Sequence, residues 1–266
     1  MRRHLVFCEL LLICNCISLP AQVTPITIRR AEPPAANATA EELERAGDRL
    51  QVEESHLDAL DYYQAALVKK PGDARISNKL GIAELQMQRY KEARRHFEKA
   101  IKIDRMFASA YNNLGSVYYG QKNYGAAIKQ YRKAIKLEPA VASFHANMGA
   151  AYFAKKEFQE AGMSYAKALE LDPDVLERHA RSGISAQLEQ SVDVARYAFV
   201  MAKLYARTGA FDRALEYLQR AITDGFEGID AVFRDADFSG LRKDPRFADL
   251  MAARPLAFQE QSHPSR

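Results

Sequence analysis

Four alanines stand 34 residues apart: Ala66, Ala100, Ala134 and Ala168. A second alanine precedes each by seven residues: Ala59, Ala93, Ala127 and Ala161. Twelve residues before those lie Gly47, Gly81, Gly115 and Gly149. Three columns keeping one period over four copies restrict the chain to an array of like units. Each unit is too small to bury its own apolar face and is stabilised by its neighbours. The array is all-α, because apolar residues recur at helical spacing within a unit. In the third copy Tyr111, Leu114, Val117 and Tyr118 place a helix over 108–119. Ala127, Ile128, Tyr131, Ala134 and Ile135 place another over 124–137. The glycine and alanine columns are small where helix axes approach closely. The aromatic column, Tyr63, Phe97, Tyr131 and Tyr165, fills the space beside them. Pro71, Pro139 and Pro173 close the second helices, since proline has no N–H to donate and clashes inside a helix. The second copy has Arg105 at that place, so its turn falls to the sequence around Asp104.

These hairpins resemble the tetratricopeptide repeat. The third copy carries the match on Leu114, Gly115, Tyr118, Tyr124, Ala127, Tyr131, Ala134 and Pro139. The second carries it on Leu80, Gly81, Ala93, Phe97 and Ala100, and the fourth on Met148, Gly149, Tyr152, Phe158, Ala161, Tyr165, Ala168 and Pro173. The first departs from it, with Ala46 for the usual leucine and Leu50 for the aromatic. A fifth copy shows Tyr205, Gly209, Phe211, Ala214, Leu218 and Ala221, with Ala202 at the glycine column. Ala214 stands 19 residues beyond where the period from Ala161 would put it, so about 19 residues are inserted. The resemblance implies a right-handed α-solenoid of about five helix-turn-helix repeats with a C-terminal helical cap. It also implies binding rather than catalysis.

The chain divides accordingly. Residues 1–21 read as a secretory signal: Arg2 and Arg3 lead an apolar stretch from Leu10 to Ile17, and Leu19-Pro20-Ala21 offers a cleavage site. Cys8, Cys14 and Cys16 all lie within it, so a processed chain has no disulfide. Residues 22–39, rich in Pro, Ala and Thr, read as a flexible linker. Repeats one to four occupy 40–175, an insertion 176–194 and repeat five 195–228. A capping segment spans 229–254, where Asp244 can cap a helix with Pro245 at its first position. Phe238, Leu241, Phe247, Leu250 and Met251 would cover the last repeat, and 255–266 is a disordered tail. Export to the periplasm, the cell envelope or the medium is the expectation.

A net charge of +4 is too small to imply a nucleic-acid partner, and the basic residues of the second helices alternate with acids. Ser164 and Lys167 match an S-x-x-K pattern but fall between the aromatic and alanine columns of a helix, with no companion motif. Histidines are scattered without metal-ligand spacing, and no phosphate-cradling glycine loop is present. No catalytic residue, metal, cofactor or small-molecule substrate is expected. The family resemblance instead places a concave groove on the first helices. Its facing residues are Arg75, Asn78, Ile82 and Gln86 in repeat two, and Ser109, Asn112, Asn113, Ser116 and Tyr119 in repeat three. Repeat four adds Ser143, Asn147 and Phe153. Such a wall is neutral and amide-rich, suited to an extended peptide whose side chains pack on Tyr119 and Phe153. The expected molecule is a monomeric adaptor for a protein or peptide partner, with peripheral membrane association allowed by the leader. The second reading is an assembly subunit using the convex face and the cap.

Overall fold

A computed structural model describes residues 31–177 and 191–253, with backbone alone over 191–193. The signal segment 1–21, residues 22–30 of the linker, residues 178–190 of the insertion and the tail 255–266 lie outside the described residues. Four hairpins come first, each a pair of helices: α1 (Ala40–Val52) with α2 (His56–Lys69), and α3 (Ala74–Gln86) with α4 (Tyr90–Ile103). They are followed by α5 (Ala108–Gly120) with α6 (Tyr124–Leu137), and α7 (Ala142–Ala154) with α8 (Phe158–Leu171). The fifth hairpin is α9 (Ser191–Thr208) with α10 (Phe211–Thr223), and α11 (Pro245–Ala252) closes the chain. Each helix packs on its partner and on the next hairpin, so contacts run between neighbours along the chain, as in an α-solenoid.

Local chemistry sets the helix ends. The Thr39 hydroxyl accepts from the Glu42 N–H while the Glu42 carboxylate takes the Thr39 N–H, a reciprocal cap on α1. Asp73 caps α3 by accepting from the N–H groups of Arg75 and Ile76. Helices α2, α6 and α8 stop two residues before Pro71, Pro139 and Pro173. Where proline is replaced by Arg105, α4 still ends at Ile103, and Asp104 turns the chain by accepting from the Met106 N–H at 2.8 Å. Within each of the first four hairpins one turn residue is left-handed: Glu54, Gln88, Lys122 and Lys156, with φ between 58° and 67°. The fifth hairpin places Gly209 there, at φ 80°.

The small columns do what their size requires. A methyl group on Gly81 would lie 2.5 Å from the Phe97 ring, and one on Gly115 2.6 Å from Tyr131. Hairpin five pairs Ala202 with Leu218 instead, both fully buried, trading a larger residue on one helix for a smaller one on the other. A continuous apolar cluster runs from Ala127 through hairpins four and five to Met251. Tyr197 on α9 joins the two hairpins, with its ring edge-on to Phe153 at 5.5 Å and to Tyr165 at 6.0 Å.

After α10 come three short 3-10 turns, Ile229–Phe233, Ala236–Phe238 and Leu241–Lys243. Phe238 and Leu241 are fully buried, Phe247 and Met251 nearly so, and Leu250 is half-buried against the same cluster. The Arg242 guanidinium donates to the Val232 and Asp235 carbonyls, both at 2.8 Å, which folds these turns onto one another. Asp244 caps α11 by accepting from the Arg246 N–H, with Pro245 in the first turn. This is the helical cap of the solenoid. At the other end residues 36–38 lie against hairpin one: Lys69 Nζ donates to the Ala36 carbonyl at 2.9 Å, and Ala38 packs on the first apolar cluster.

Candidate functional site

The first helices α3, α5 and α7 lie side by side, because residues 34 or 35 apart in sequence are neighbours on stacked hairpins. Across them runs a ladder of side-chain amides. Asn147 Nδ2 donates to Asn112 Oδ1 at 2.8 Å, Asn112 Nδ2 to Asn113 Oδ1 at 3.1 Å, and Asn113 Nδ2 to Asn78 Oδ1 at 3.0 Å. All three bonds run in one sense, from repeat four to repeat two. The amides therefore hold one another, where the sequence reading assigned them to a partner's backbone. An asparagine has two N–H donors and two acceptor sites, so each rung keeps capacity for a second contact. Asn78, Asn112 and Asn147 are buried, and Asn113 is the half-exposed member. Asn147 Oδ1 is buried with no hydrogen-bond partner among the described residues.

The other groove residues fall around this ladder. Ser116 Oγ donates to the Asn112 carbonyl at 3.4 Å and lies 3.3 Å from the Tyr131 hydroxyl. Tyr119 is half-buried with its ring 5.5 Å from that of Tyr124, and burial pushes its pKa up to about 12, so it stays a neutral donor. Ser109 and Ser143 are half-exposed, Gln86 is exposed, and Ile82 packs in the cluster of hairpins two and three. Arg75 is exposed and lies 3.5 Å from Asp73. Phe153 is only 4 % exposed: Phe158 and Tyr197 enclose its ring, so its surface is given to hairpin five rather than to the wall.

Two features escaped the sequence reading. Lys79 bridges the first two hairpins, 2.7 Å from both Glu44 and Asp48, and Asp48 also accepts from the Tyr63 hydroxyl. Burial lowers the Lys79 pKa, but the two carboxylates outweigh it and the net shift is upward. The 34-residue period places Glu44 one position from Lys79, which is the signal that could have found it. The second is a cleft beside α9, lined by Arg196 and Phe199 among others. Ser164 and Lys167 do not form a nucleophile and base: the Ser164 hydroxyl donates to the Glu160 carbonyl, and Lys167 pairs with Glu170.

Stacked helical hairpins with a shared wall of polar side chains define an interaction solenoid. The family comparisons make the class specific. Models described as "TPR repeat" match residues 83–122 and 115–156, and models described as "Tetratricopeptide repeat" match 142–175 and 199–229. The chain is therefore built of tetratricopeptide repeats over these stretches. Among solved structures, pilF of Pseudomonas aeruginosa is 20% identical with a TM-score of 0.52, over 83% of this chain and 95% of that one. A thermophilic TPR protein of Thermus thermophilus is 19% identical with a TM-score of 0.51, over 76% and 99%. A MamA protein is 26% identical with a TM-score of 0.46, over 53% and 76%. The first two likenesses bear on the fold alone. No curated protein sequence matches the chain.

Proposed function

We propose that the protein is a non-catalytic adaptor that captures an extended segment of a partner protein along the first helices of repeats two to four. The observation that carries this reading is the amide ladder of Asn147, Asn112, Asn113 and Asn78. Ladder bonds hold the amide groups in fixed rotamers, so little side-chain entropy is lost when a peptide adds its own hydrogen bonds. Each such bond contributes about 0.5–1.5 kcal/mol net, and Asn113 is the half-exposed rung that a peptide reaches first, so apolar contacts must supply most of the affinity. Tyr119 and Ile82 offer apolar contact beside the ladder, and Gln86 and Arg75 stand at its exposed edge.

The test places a photoreactive side chain at Gln86, which is exposed on the wall and outside the ladder. A discrete protein adduct that disappears on Asn112→Ala with Asn113→Ala, at unchanged helicity, is the expected result. An adduct indifferent to both substitutions would sink the groove reading. Capture only from probes in residues 229–253 would favour the assembly-subunit reading. We further propose that the protein works outside the cytoplasm, supported by the charged and apolar leader of residues 1–21. Among the described residues no helix is long and apolar enough to cross a membrane. N-terminal sequencing of the mature protein should begin at Gln22.

A further inference from the structure

Hairpin five repeats the columns of hairpin four at an offset of 53 residues, with Ala202 at the place of Gly149 and Leu218 at that of Tyr165. The wall positions Ser143 and Asn147, and Ala146 and Ala150 beside them on α7, therefore correspond to Arg196, Val200, Phe199 and Lys203 on α9. The chemistry of the columns changes there from small and amide to cationic and apolar. Their surroundings change as well. Helix α9 packs on α8 more lightly than α3, α5 and α7 pack on the helices before them. The four residues line a cleft of about 410 Å³ together with Met163 on α8 and Phe226 after α10.

The floor of this cleft is aromatic. Phe199 stacks on Phe226 at 4.4 Å, and the Arg196 guanidinium lies over Phe158 at 4.8 Å and over Phe226 at 5.6 Å. Met163 stands at one lip, 60% exposed. Lys203 is paired with Asp235 and Asp237, but among the described residues no carboxylate pairs with Arg196 or Arg207. A guanidinium held over an aromatic ring by its cationic face can still donate N–H groups to a carboxylate. A second hollow of about 230 Å³, lined by Met148, Tyr152 and Lys167 among others, shares Met163 and carries the track across α8. Apolar surface beside guanidinium groups that no described carboxylate pairs suits an acidic, partly apolar partner.

We propose that this cleft is a second docking site, for an extended segment of a partner protein in which an acidic residue stands beside a bulky apolar one. The apolar side chain enters between Met163 and Phe199, and the carboxylate meets Arg196. The site is separate from the amide ladder and does not depend on it.

A display library of random short peptides, selected on the full chain, tests the proposal. Enriched peptides should pair Asp or Glu with Leu, Phe or Met. They should bind Met163→Glu at least about tenfold more weakly, a difference of about 1.4 kcal/mol. Arg196→Gln should weaken them similarly, and Asn112→Ala should leave them unchanged. Met163 is a surface residue, so its substitution keeps the fold, which circular dichroism checks. An absence of enrichment, enriched sequences without an acid, or binding indifferent to both cleft substitutions would overturn the proposal. So would a concentration-dependent dimer that Met163→Glu abolishes, since the occupant would then be a second copy. Peptides that depend on Asn112 instead report on the wall, so the two readings fail separately.

Discussion

At the scale of single residues, the tightest constraint is the close approach of Gly81 to Phe97. A Cβ at Gly81 would sit 2.5 Å from the ring, so Gly81→Ala must push the two helices apart. Overpacking of this kind costs roughly 1–3 kcal/mol. Hairpin five carries the compensated pair, Ala202 against Leu218, in the same columns. Phe97→Leu alone should leave a cavity and destabilise. Combined with Gly81→Ala it should cost less than the sum of the two, a coupling that denaturant midpoints of the single and double variants measure directly. Additive losses would mean that helix spacing is not set at this contact. The glycine column was legible from sequence because its period is strict. The left-handed turn residues were not: Glu54, Gln88, Lys122 and Lys156 share a conformation that none of their side chains favours. The conformation costs about 1–2 kcal/mol each, and backbone bonds closing the first helix offset it, as where Ser55 N–H donates to the Leu50 carbonyl and Asn123 N–H to the Tyr118 carbonyl.

At the scale of elements, an ion-pair cluster helps tie the cap to α9. Lys203 on α9 donates to Asp235 at 2.5 Å, and Asp237 lies 3.5 Å from the same ammonium. Burial raises the Asp235 pKa, but Lys203 and the Asp237 N–H outweigh it and hold the carboxyl below its usual value. A depressed carboxylate pKa contributes stability that is present above the unfolded value of about 3.9 and lost as pH falls through the folded value. Amide exchange in 229–252 should therefore accelerate below about pH 4. Asp235→Asn should speed exchange there at neutral pH and flatten this acid dependence; an unchanged acid response would place the sensitivity elsewhere. From sequence, Asp244-Pro245 marks the start of α11, and the five apolar residues mark what it buries. The 3-10 turns between Ile229 and Lys243 follow no periodic pattern, and Arg242 bonding two carbonyls is what shapes them.

At the scale of the whole molecule, stability in a solenoid is a sum over hairpins and their junctions, and the junction between α8 and α9 differs from the rest. Tyr197 fills it, with Phe153 and Tyr165 against its ring. Tyr197 is half-buried, so Tyr197→Ala should cost less than the roughly 3–5 kcal/mol of a fully buried aromatic truncation, about 2 kcal/mol. It should also split unfolding into two transitions, hairpin five with the cap separating from the first four. A single transition lowered in midpoint would show that the remaining contacts suffice to couple them. The sequence by itself determined the repeat unit, the helix boundaries and the class of molecule, because period, size columns and proline placement act within or between adjacent hairpins. Only the tertiary structure decided what the wall residues touch. Asn112 and Asn147 look like donors awaiting a peptide until stacking brings them within 2.8 Å of each other, and Phe153 looks like groove surface until α9 covers it. The turn of hairpin five against α8 is of the same kind. The angle of one hairpin on the next depends on side chains from both, so no single repeat contains it.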